Sequence, residues 1–128
     1  MTIRSAKDVV AEARAGVTSV TAEEAAAEVG SPDTVFVDVR EANEVVKTGT
    51  VAGAVHVPRG LLEFQADPSS PSHNPRLDPA KRILLFCASG GRSTLAAKAL
   101  AEMGYADVAS VEGGFPALEK AGARTTST

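Results

Sequence analysis

Cys87 is the only cysteine in the chain, and it stands where the apolar run 83–87 meets a glycine-containing loop that opens a predicted helix. A cysteine in this position faces unpaired N–H groups and the positive end of the helix dipole, and both favour the thiolate. A free thiol with a pKa of about 8.5 is only slightly ionised at neutral pH, whereas helix N-termini and nearby cations lower that pKa to roughly 3.5–7.5. Cys87 is therefore a candidate nucleophile. The competing interpretation is a small buried apolar residue.

The residues after Cys87 supply groups that suit an anion. Two of them, Gly90 and Gly91, can adopt positive φ, which lets successive N–H groups point into a nest around the sulfur. Arg92 adds a planar cation that matches two oxygens of an oxyanion. We therefore predict a substrate with an anionic head and assign the catalytic roles to Cys87 and Arg92. The predicted substrate-binding residues of the loop are Ala88, Ser89, Gly90, Gly91 and Ser93.

Strands and helices alternate along the sequence, which predicts an α/β fold with a central, mainly parallel sheet and helices on both faces. Strands are predicted at 17–20, 34–39, 54–57, 82–87 and 108–111, and helical segments at 6–15, from Thr21 to before Gly30, and at 41–48, 59–65, 93–103 and 115–121. Ligands of such sheets bind beyond the carboxyl ends of the strands. Cys87, the segment 38–40 and the turn Gly113–Gly114 all follow strands and are expected to meet there.

Two further features could border the pocket. Arg59 follows a predicted strand and is assigned to substrate binding at the pocket mouth. The proline-rich stretch 66–79 predicts a surface loop long enough to overhang the pocket, with Arg76 at its mouth. His56 alternates with valines in a strand, which is more typical of a packed or hydrogen-bonded histidine than of a base. We predict no metal site, because His73 has no second ligand at metal spacing.

Length and composition narrow the function classes. The 128 residues fit one domain, 1–128, with a helical extension at 1–16 and a frayed tail at 124–128. The net charge of −3 disfavours nucleic acid as a partner. A lone cysteine and the absence of a secretory pattern favour the cytoplasm, and no apolar run approaches the roughly 20 residues that cross a membrane.

The spacing between cysteine and arginine separates two chemistries. Four residues stand between Cys87 and Arg92, whereas cysteine phosphatases use five and form a wider cradle for phosphate. The shorter loop disfavours a phosphatase or an arsenate reductase.

The loop 87–93 resembles the active-site loop of single-domain rhodanese-type sulfurtransferases. The segments 38–41, 53–58 and 113–115 follow in the order of that family, and the resemblance extends from Val17 onward. Two framework positions depart from the family pattern: Gly49-Thr50-Val51 stands for Gly-His-Ile, and Leu118 replaces a tryptophan.

The resemblance implies a persulfide cycle in which Cys87 takes sulfur from thiosulfate and passes it to cyanide or a thiol, without a cofactor. It also implies that Arg92 favours thiosulfate over mercaptopyruvate and that Asp38 and Arg40 brace the framework. Since the chain has no second cysteine, the acceptor must come from outside, either as a small molecule or as a protein thiol. The alternative is a sulfur-relay or docking module with little turnover of small molecules.

Overall fold

A computed structural model describes residues 2–127 and contains two sheets. The strands are β1 Thr18–Val20, β2 Thr34–Asp38, β3 Thr50–Val51, β4 Val55–His56, β5 Arg82–Phe86, β6 Val108–Val111 and β7 Thr125–Thr126. The main sheet has the order β1-β6-β5-β2-β4, and all of its neighbouring strands are parallel. This confirms the predicted α/β class with a parallel central sheet.

Helices cover both faces of the main sheet. They are α1 Ala6–Gly16, α2 Ala22–Ala26, α3 Ala42–Thr48, α4 Leu62–Ala66, α5 Gly91–Met103 and α6 Gly114–Lys120, with a 3-10 turn at Arg59–Leu61 before α4. One core forms between the sheet, α4 and α5, and the other forms between the sheet, α2 and α6. Helix α1 packs against α5. No helix within residues 2–127 has the length and apolar character needed to cross a membrane.

Strand β5 joins the two cores. Ile83, Leu85 and Cys87 point into the core beneath α5, while Leu84 and Phe86 point into the core beneath α6. Successive side chains of a strand face opposite sides, so a continuously apolar strand is the expected pattern for a sheet covered on both faces. The same alternation places the Cys87 side chain on the α5 side of the sheet.

Two helices begin at the capping residues that the sequence predicted. The Ser5 side chain accepts a hydrogen bond from the Asp8 N–H at 3.0 Å at the start of α1. Thr21 and Glu24 form the predicted reciprocal capping box at the start of α2, with both bonds at 3.1 Å. Such caps satisfy backbone donors that have no partner inside the helix.

The structure differs from the prediction at the C-terminal tail. The segment 124–128 was expected to fray, yet β7 pairs in antiparallel fashion with β3, and the Ala52 N–H donates to the Arg124 carbonyl at 2.8 Å. Strand β3 offers free backbone groups that the tail can bind, although neither strand has a local pattern that predicts this pairing. Thr128 lies outside the described residues.

The loop 66–79 is irregular, as predicted, but the expectation that Arg76 borders the Cys87 pocket is wrong. Arg76 donates to the Gly53 carbonyl at 2.9 Å and lines a cavity of about 350 Å³ with Ser31 and Thr34. Thr34 opens β2, so this cavity lies at the amino end of the strands, opposite Cys87. The loop leads into β5 at Arg82, which is why its later half must reach that end.

Candidate active site

Cys87 lies directly after β5, and its side chain is only 1% exposed. Its carbonyl oxygen accepts a hydrogen bond from the Phe115 N–H at 2.8 Å. Gly114 makes this close approach possible, because its φ is +65° and a Cβ at this position would collide with the Cys87 carbonyl oxygen and lie 2.7 Å from the Ala88 carbonyl carbon. The turn after β6 therefore packs against the cysteine loop, as expected for two segments that both follow strands of a parallel sheet.

The Cys87 sulfur accepts hydrogen bonds from the start of α5. The Gly90 N–H lies 3.1 Å from Sγ and the Ser93 N–H lies 3.4 Å from it. The Ser93 hydroxyl is a third neighbour, with Oγ 3.6 Å from Sγ. Gly90 has φ +110°, the left-handed conformation that glycine adopts without strain. The predicted N–H nest is therefore present only in part: Gly90 faces the sulfur as expected, but Gly91 is helical without positive φ, and the second N–H comes from Ser93.

Burial and hydrogen bonding act on the Cys87 thiol in opposite directions. Burial raises its pKa, but the hydroxyl of Ser93 and the N–H groups of Ser93, Ser89 and Gly90 lower it, and the net result is a pKa below the ordinary value of 9.0. Hydrogen bonds to the charged form are the physical cause, because they replace the water that a thiolate loses inside the protein. Cys87 thus has the lowered thiol pKa that a reactive cysteine requires, and it has it in spite of its burial.

The rest of the loop forms the rim of the site. Ala88 and Ser89 are exposed, and Gly91 is the first residue of α5. The N-terminal helix also reaches this region, since a Cβ built on Gly90 would lie 3.7 Å from Nη2 of Arg14. The prediction had treated 1–16 only as an extension. The substrate-binding roles assigned to the loop residues remain predictions.

Arg92 does not donate to the Cys87 sulfur and instead forms a two-pronged ion pair with Glu44 of α3. Nη1 lies 2.7 Å from Oε2, and Nη2 lies 2.9 Å from Oε1. Hydrogen bonding from Arg92 lowers the pKa of Glu44 to about 2, and Glu44 in turn raises the pKa of Arg92, with a smaller contribution from the charge of Cys87. The Arg92 side chain is 38% exposed, so it stands at the rim with room to meet a ligand. Its catalytic role stays a prediction.

Arg59 lies at the carboxyl edge of the sheet, but its side chain turns toward α4. Its N–H donates to the Val39 carbonyl at 3.0 Å, which anchors the residue beside the end of β2. Its guanidinium pairs with Glu63 at 2.9 Å. The structure thus places Arg59 at the predicted edge without bringing its charge to the sulfur, and its assigned role in substrate binding is still a prediction.

Asp38 and Arg40 form a buried ion pair with the contacts of a structural brace. Arg40 Nε lies 3.0 Å from Asp38 Oδ1, and Nη2 lies 2.8 Å from Oδ2. Thr50 donates to Asp38 at 2.7 Å, and the Arg40 guanidinium stacks 4.5 Å from the centre of the Phe115 ring. His56 Nε2 lies 2.7 Å from the Arg40 carbonyl oxygen, so the interpretation of His56 as a hydrogen-bonded residue is confirmed.

The sequence interpretation missed two partners of the site, Glu44 and Ser110. Ser110 Oγ lies 2.8 Å from Ser93 Oγ and 3.4 Å from Thr94 Oγ1, behind the cysteine loop. A serine in the otherwise apolar strand β6 was the available signal for Ser110. Glu44 carried no such signal, because it belongs to a helix cap and lies 48 positions from Arg92. Within residues 2–127, no three side chains of His, Cys, Asp or Glu come together to hold a metal ion.

Comparison with known proteins connects this geometry to a family. Residues 21–121 match the model of the rhodanese-like domain. The polysulfide-sulfur transferase homodimer of Wolinella succinogenes superimposes with a TM-score of 0.76 and 28% identity, over 95% of this chain and 87% of that one.

Two other relatives are described differently. A Rhodopseudomonas palustris protein of unknown function, described as a possible tyrosine phosphatase, has a TM-score of 0.91 and 38% identity, with 98% of each chain covered. The tRNA uridine(34) hydroxylase of Bradyrhizobium diazoefficiens is 38% identical over 89 residues, or 68% of this chain. Our chain spans about a third of that protein, 33% of its length. With the family model matched over most of its length, from residue 21 to residue 121, the protein belongs to the rhodanese-like domain family.

Proposed function

We propose that this protein is a thiosulfate sulfurtransferase that carries sulfur as a persulfide on Cys87. One observation supports this proposal above the others: the buried Cys87 sulfur accepts hydrogen bonds from N–H groups at the start of α5. The chain that carries this arrangement is a member of the rhodanese-like domain family. The relative from Wolinella succinogenes, called a polysulfide-sulfur transferase, adds support at the level of reaction class. A reduced thiol of this kind fits the cytoplasm.

The proposed reaction has two displacement steps. The Cys87 thiolate attacks the outer sulfur of thiosulfate, a new S–S bond forms, and the old S–S bond breaks as sulfite leaves with its electron pair. Cyanide or a thiolate then attacks the terminal sulfur of the Cys87 persulfide, and the departing electron pair restores the thiolate. Splitting a transfer into two steps through a covalent intermediate is the usual advantage of nucleophilic catalysis.

The loop would stabilise charge at each step. The N–H groups of Gly90 and Ser93 already converge on the Cys87 sulfur, and the terminal sulfur of a persulfide would meet the same positive end of α5. Arg92 would bind the sulfonate oxygens through N–H groups that Glu44 leaves free, since Glu44 occupies only one N–H on each Nη atom. Arg59 would act at the outer edge of the pocket.

Mass spectrometry of the intact protein tests the proposal directly. Incubation with thiosulfate is expected to add one sulfur, about 32 Da, and cyanide is expected to remove it with release of thiocyanate. Cys87→Ser is the matched control because it changes one buried atom and removes the nucleophile. An unchanged mass in the wild type, or a gain that persists in Cys87→Ser, would contradict the proposal.

A sulfur-relay role is the main alternative, because the chain has no second cysteine to resolve the persulfide. In that case the persulfide would form normally but would pass to a protein thiol much faster than to cyanide. Comparing the decay of the 32 Da adduct with cyanide and with a cysteine-containing protein acceptor separates the two roles.

A phosphatase is the second alternative, and the description of the Rhodopseudomonas palustris structure favours it. The short loop and the Arg92–Glu44 pair argue against it, because a phosphatase needs its arginine inside a wider cradle. We expect no release of nitrophenol from p-nitrophenyl phosphate above the level of Cys87→Ser. Cysteine-dependent turnover would favour the phosphatase.

A further inference from the structure

Behind the Cys87 loop, a serine of β6 contacts the hydroxyl that faces the sulfur. We infer that Ser110 is a positioning residue, which orients the Ser93 hydroxyl so that its proton points at the Cys87 sulfur when the thiolate forms. This inference rests on the proposed function for its importance, since only a reactive thiolate would need such support. It adds a residue from a neighbouring strand to the site.

The contacts form a continuous chain of hydroxyl groups. Ser93 Oγ lies 3.6 Å from the Cys87 sulfur and 2.8 Å from Ser110 Oγ. Ser110 Oγ lies 3.4 Å from Thr94 Oγ1, and Thr94 donates to the Gly90 carbonyl at 2.7 Å. Cys87, Ser93, Ser110 and Thr94 are each at most 3% exposed. The proton positions therefore depend on these groups rather than on bulk water.

In the thiol form, each hydroxyl has a consistent partner. The Cys87 S–H donates to Ser93 Oγ, and the Ser93 O–H donates to Ser110 Oγ or to the Gly90 carbonyl, which lies 3.2 Å away. Ser110 then donates to Thr94 Oγ1. Each hydroxyl offers one proton and two lone pairs, so this arrangement satisfies every group.

In the thiolate form, the hydroxyl protons of Ser93 and Ser110 must each point to a different acceptor. The sulfur has lost its proton to solvent and can only accept hydrogen bonds, so the Ser93 hydroxyl donates to it. Ser110 then rotates its proton from Thr94 to Ser93 Oγ, while Thr94 keeps its bond to the Gly90 carbonyl. Without the Ser110 hydroxyl, Ser93 would lose the donor that replaces the Cys87 S–H, and its oxygen would be left short of a partner in a buried place.

The pH profile of Cys87 alkylation by iodoacetamide measures this effect. In Ser110→Ala we expect the midpoint of the profile to rise by roughly 0.3–1 pH unit, since one net hydrogen bond is lost. Sulfur uptake from thiosulfate at neutral pH should fall by roughly two- to tenfold. Ser19→Ala is the matched control, because Ser19 pairs with Ser110 in register on β1, and we expect its profile to match the wild type.

A double variant distinguishes positioning from general stabilisation. Ser93→Ala should raise the midpoint further than Ser110→Ala does, and adding Ser110→Ala to Ser93→Ala should change nothing more, because Ser110 acts through Ser93. If the two effects add, or if Ser110→Ala leaves the profile unchanged, the inference is wrong.

The variants Ser110→Thr and Ser110→Val distinguish the loss of the hydroxyl group from a folding defect. The two side chains have the same shape and differ only in the hydroxyl, so the threonine variant should keep a profile near the wild type and the valine variant should not. Equal profiles in the two variants would overturn the inference. Since alkylation needs no thiosulfate, this result stands even if the wild type takes no sulfur and the proposed function fails.

Discussion

Two of the arginine–carboxylate pairs at the carboxyl end of the sheet, Arg40–Asp38 and Arg92–Glu44, differ in how many of the arginine N–H groups have protein partners. Arg40 and Asp38 are 3% and 0% exposed, and Arg40 also donates to Thr48 and to the Gly49 carbonyl, each at 2.9 Å. Arg92 and Glu44 are 38% and 30% exposed, and within residues 2–127 Arg92 donates to Glu44 alone. All three nitrogens of the Arg40 guanidinium have protein partners, whereas Arg92 keeps N–H groups that no residue in the described range accepts.

The different burial of the two arginines explains why one has more protein partners than the other. A buried guanidinium must bind partners through nearly all its N–H groups, because each unsatisfied group costs free energy. An arginine at the surface can leave some donors to water and exchange that water for the oxygens of a substrate. The pair Arg40–Asp38 therefore holds β2 to the segment that follows α3, while Arg92–Glu44 can hold its arginine at the rim of the Cys87 site.

The largest effect is expected from breaking the buried pair. Asp38→Ala leaves the Arg40 charge without its main partner, and we expect a loss of about 3–5 kcal/mol in the free energy of unfolding. Urea denaturation measures it. Glu44→Ala is the control from the half-buried pair; it removes the Arg92 pair and the bond from the Glu41 N–H, and it should cost about 1–2 kcal/mol. Equal losses in the two variants would contradict the comparison.

Removing the rim arginine should affect activity far more than stability. For Arg92→Ala we expect kcat/KM with thiosulfate to fall by roughly 10- to 100-fold, through both kcat and KM, because the guanidinium would bind the donor before and during sulfur transfer. The kcat/KM of Arg92→Lys should lie between those of the wild type and Arg92→Ala, since lysine keeps the charge but loses the planar fork of the guanidinium. Steady-state kinetics that match the wild type would remove Arg92 from the mechanism.

The half-buried pair should also respond to acid in a defined range. Hydrogen bonding from Arg92, with a smaller contribution from the Glu41 N–H, lowers the pKa of Glu44 from 4.5 to about 2, so the carboxylate is stabilised by folding. Its contribution to stability is complete above pH 4.5, falls as the pH is lowered toward 2, and is absent below that. The difference in unfolding free energy between wild type and Glu44→Gln should therefore be constant near neutrality and shrink in acid. If this difference in unfolding free energy grows in acid, the prediction is wrong.

A third arginine provides the smallest expected effect. Arg14 lies beside Gly90 and has no ion-pair partner within the described part of the chain. If its free charge attracts anions to Cys87, Arg14→Gln should slow alkylation by iodoacetate roughly three- to tenfold and leave the rate with neutral iodoacetamide unchanged. Arg4→Gln removes the same charge from an arginine paired with Glu12 and should have no effect on either rate.

Much of the fold follows from local patterns. The apolar runs of β2, β5 and β6, the cap at Ser5 and the capping box at Thr21 each depend on neighbouring residues, which is why they were predictable. The pairing of β7 with β3 was not predictable, because it joins two short strands that are far apart in the sequence. The course of the 66–79 loop was missed for the same reason, since its contacts with Tyr105 and Gly53 are set by packing.

The sequence by itself determined the position of the candidate nucleophile and its immediate surroundings. Cys87, the glycines after it and the start of α5 are continuous in the chain, so the geometry of a strand end and a helix start was enough to bring N–H groups to the sulfur. Tertiary structure decided the partners of those residues: Glu44 for Arg92, Ser110 for Ser93 and Gly114 for the Cys87 carbonyl. These contacts come from separate strands and helices whose approach depends on the packing of the whole sheet, which no local pattern records.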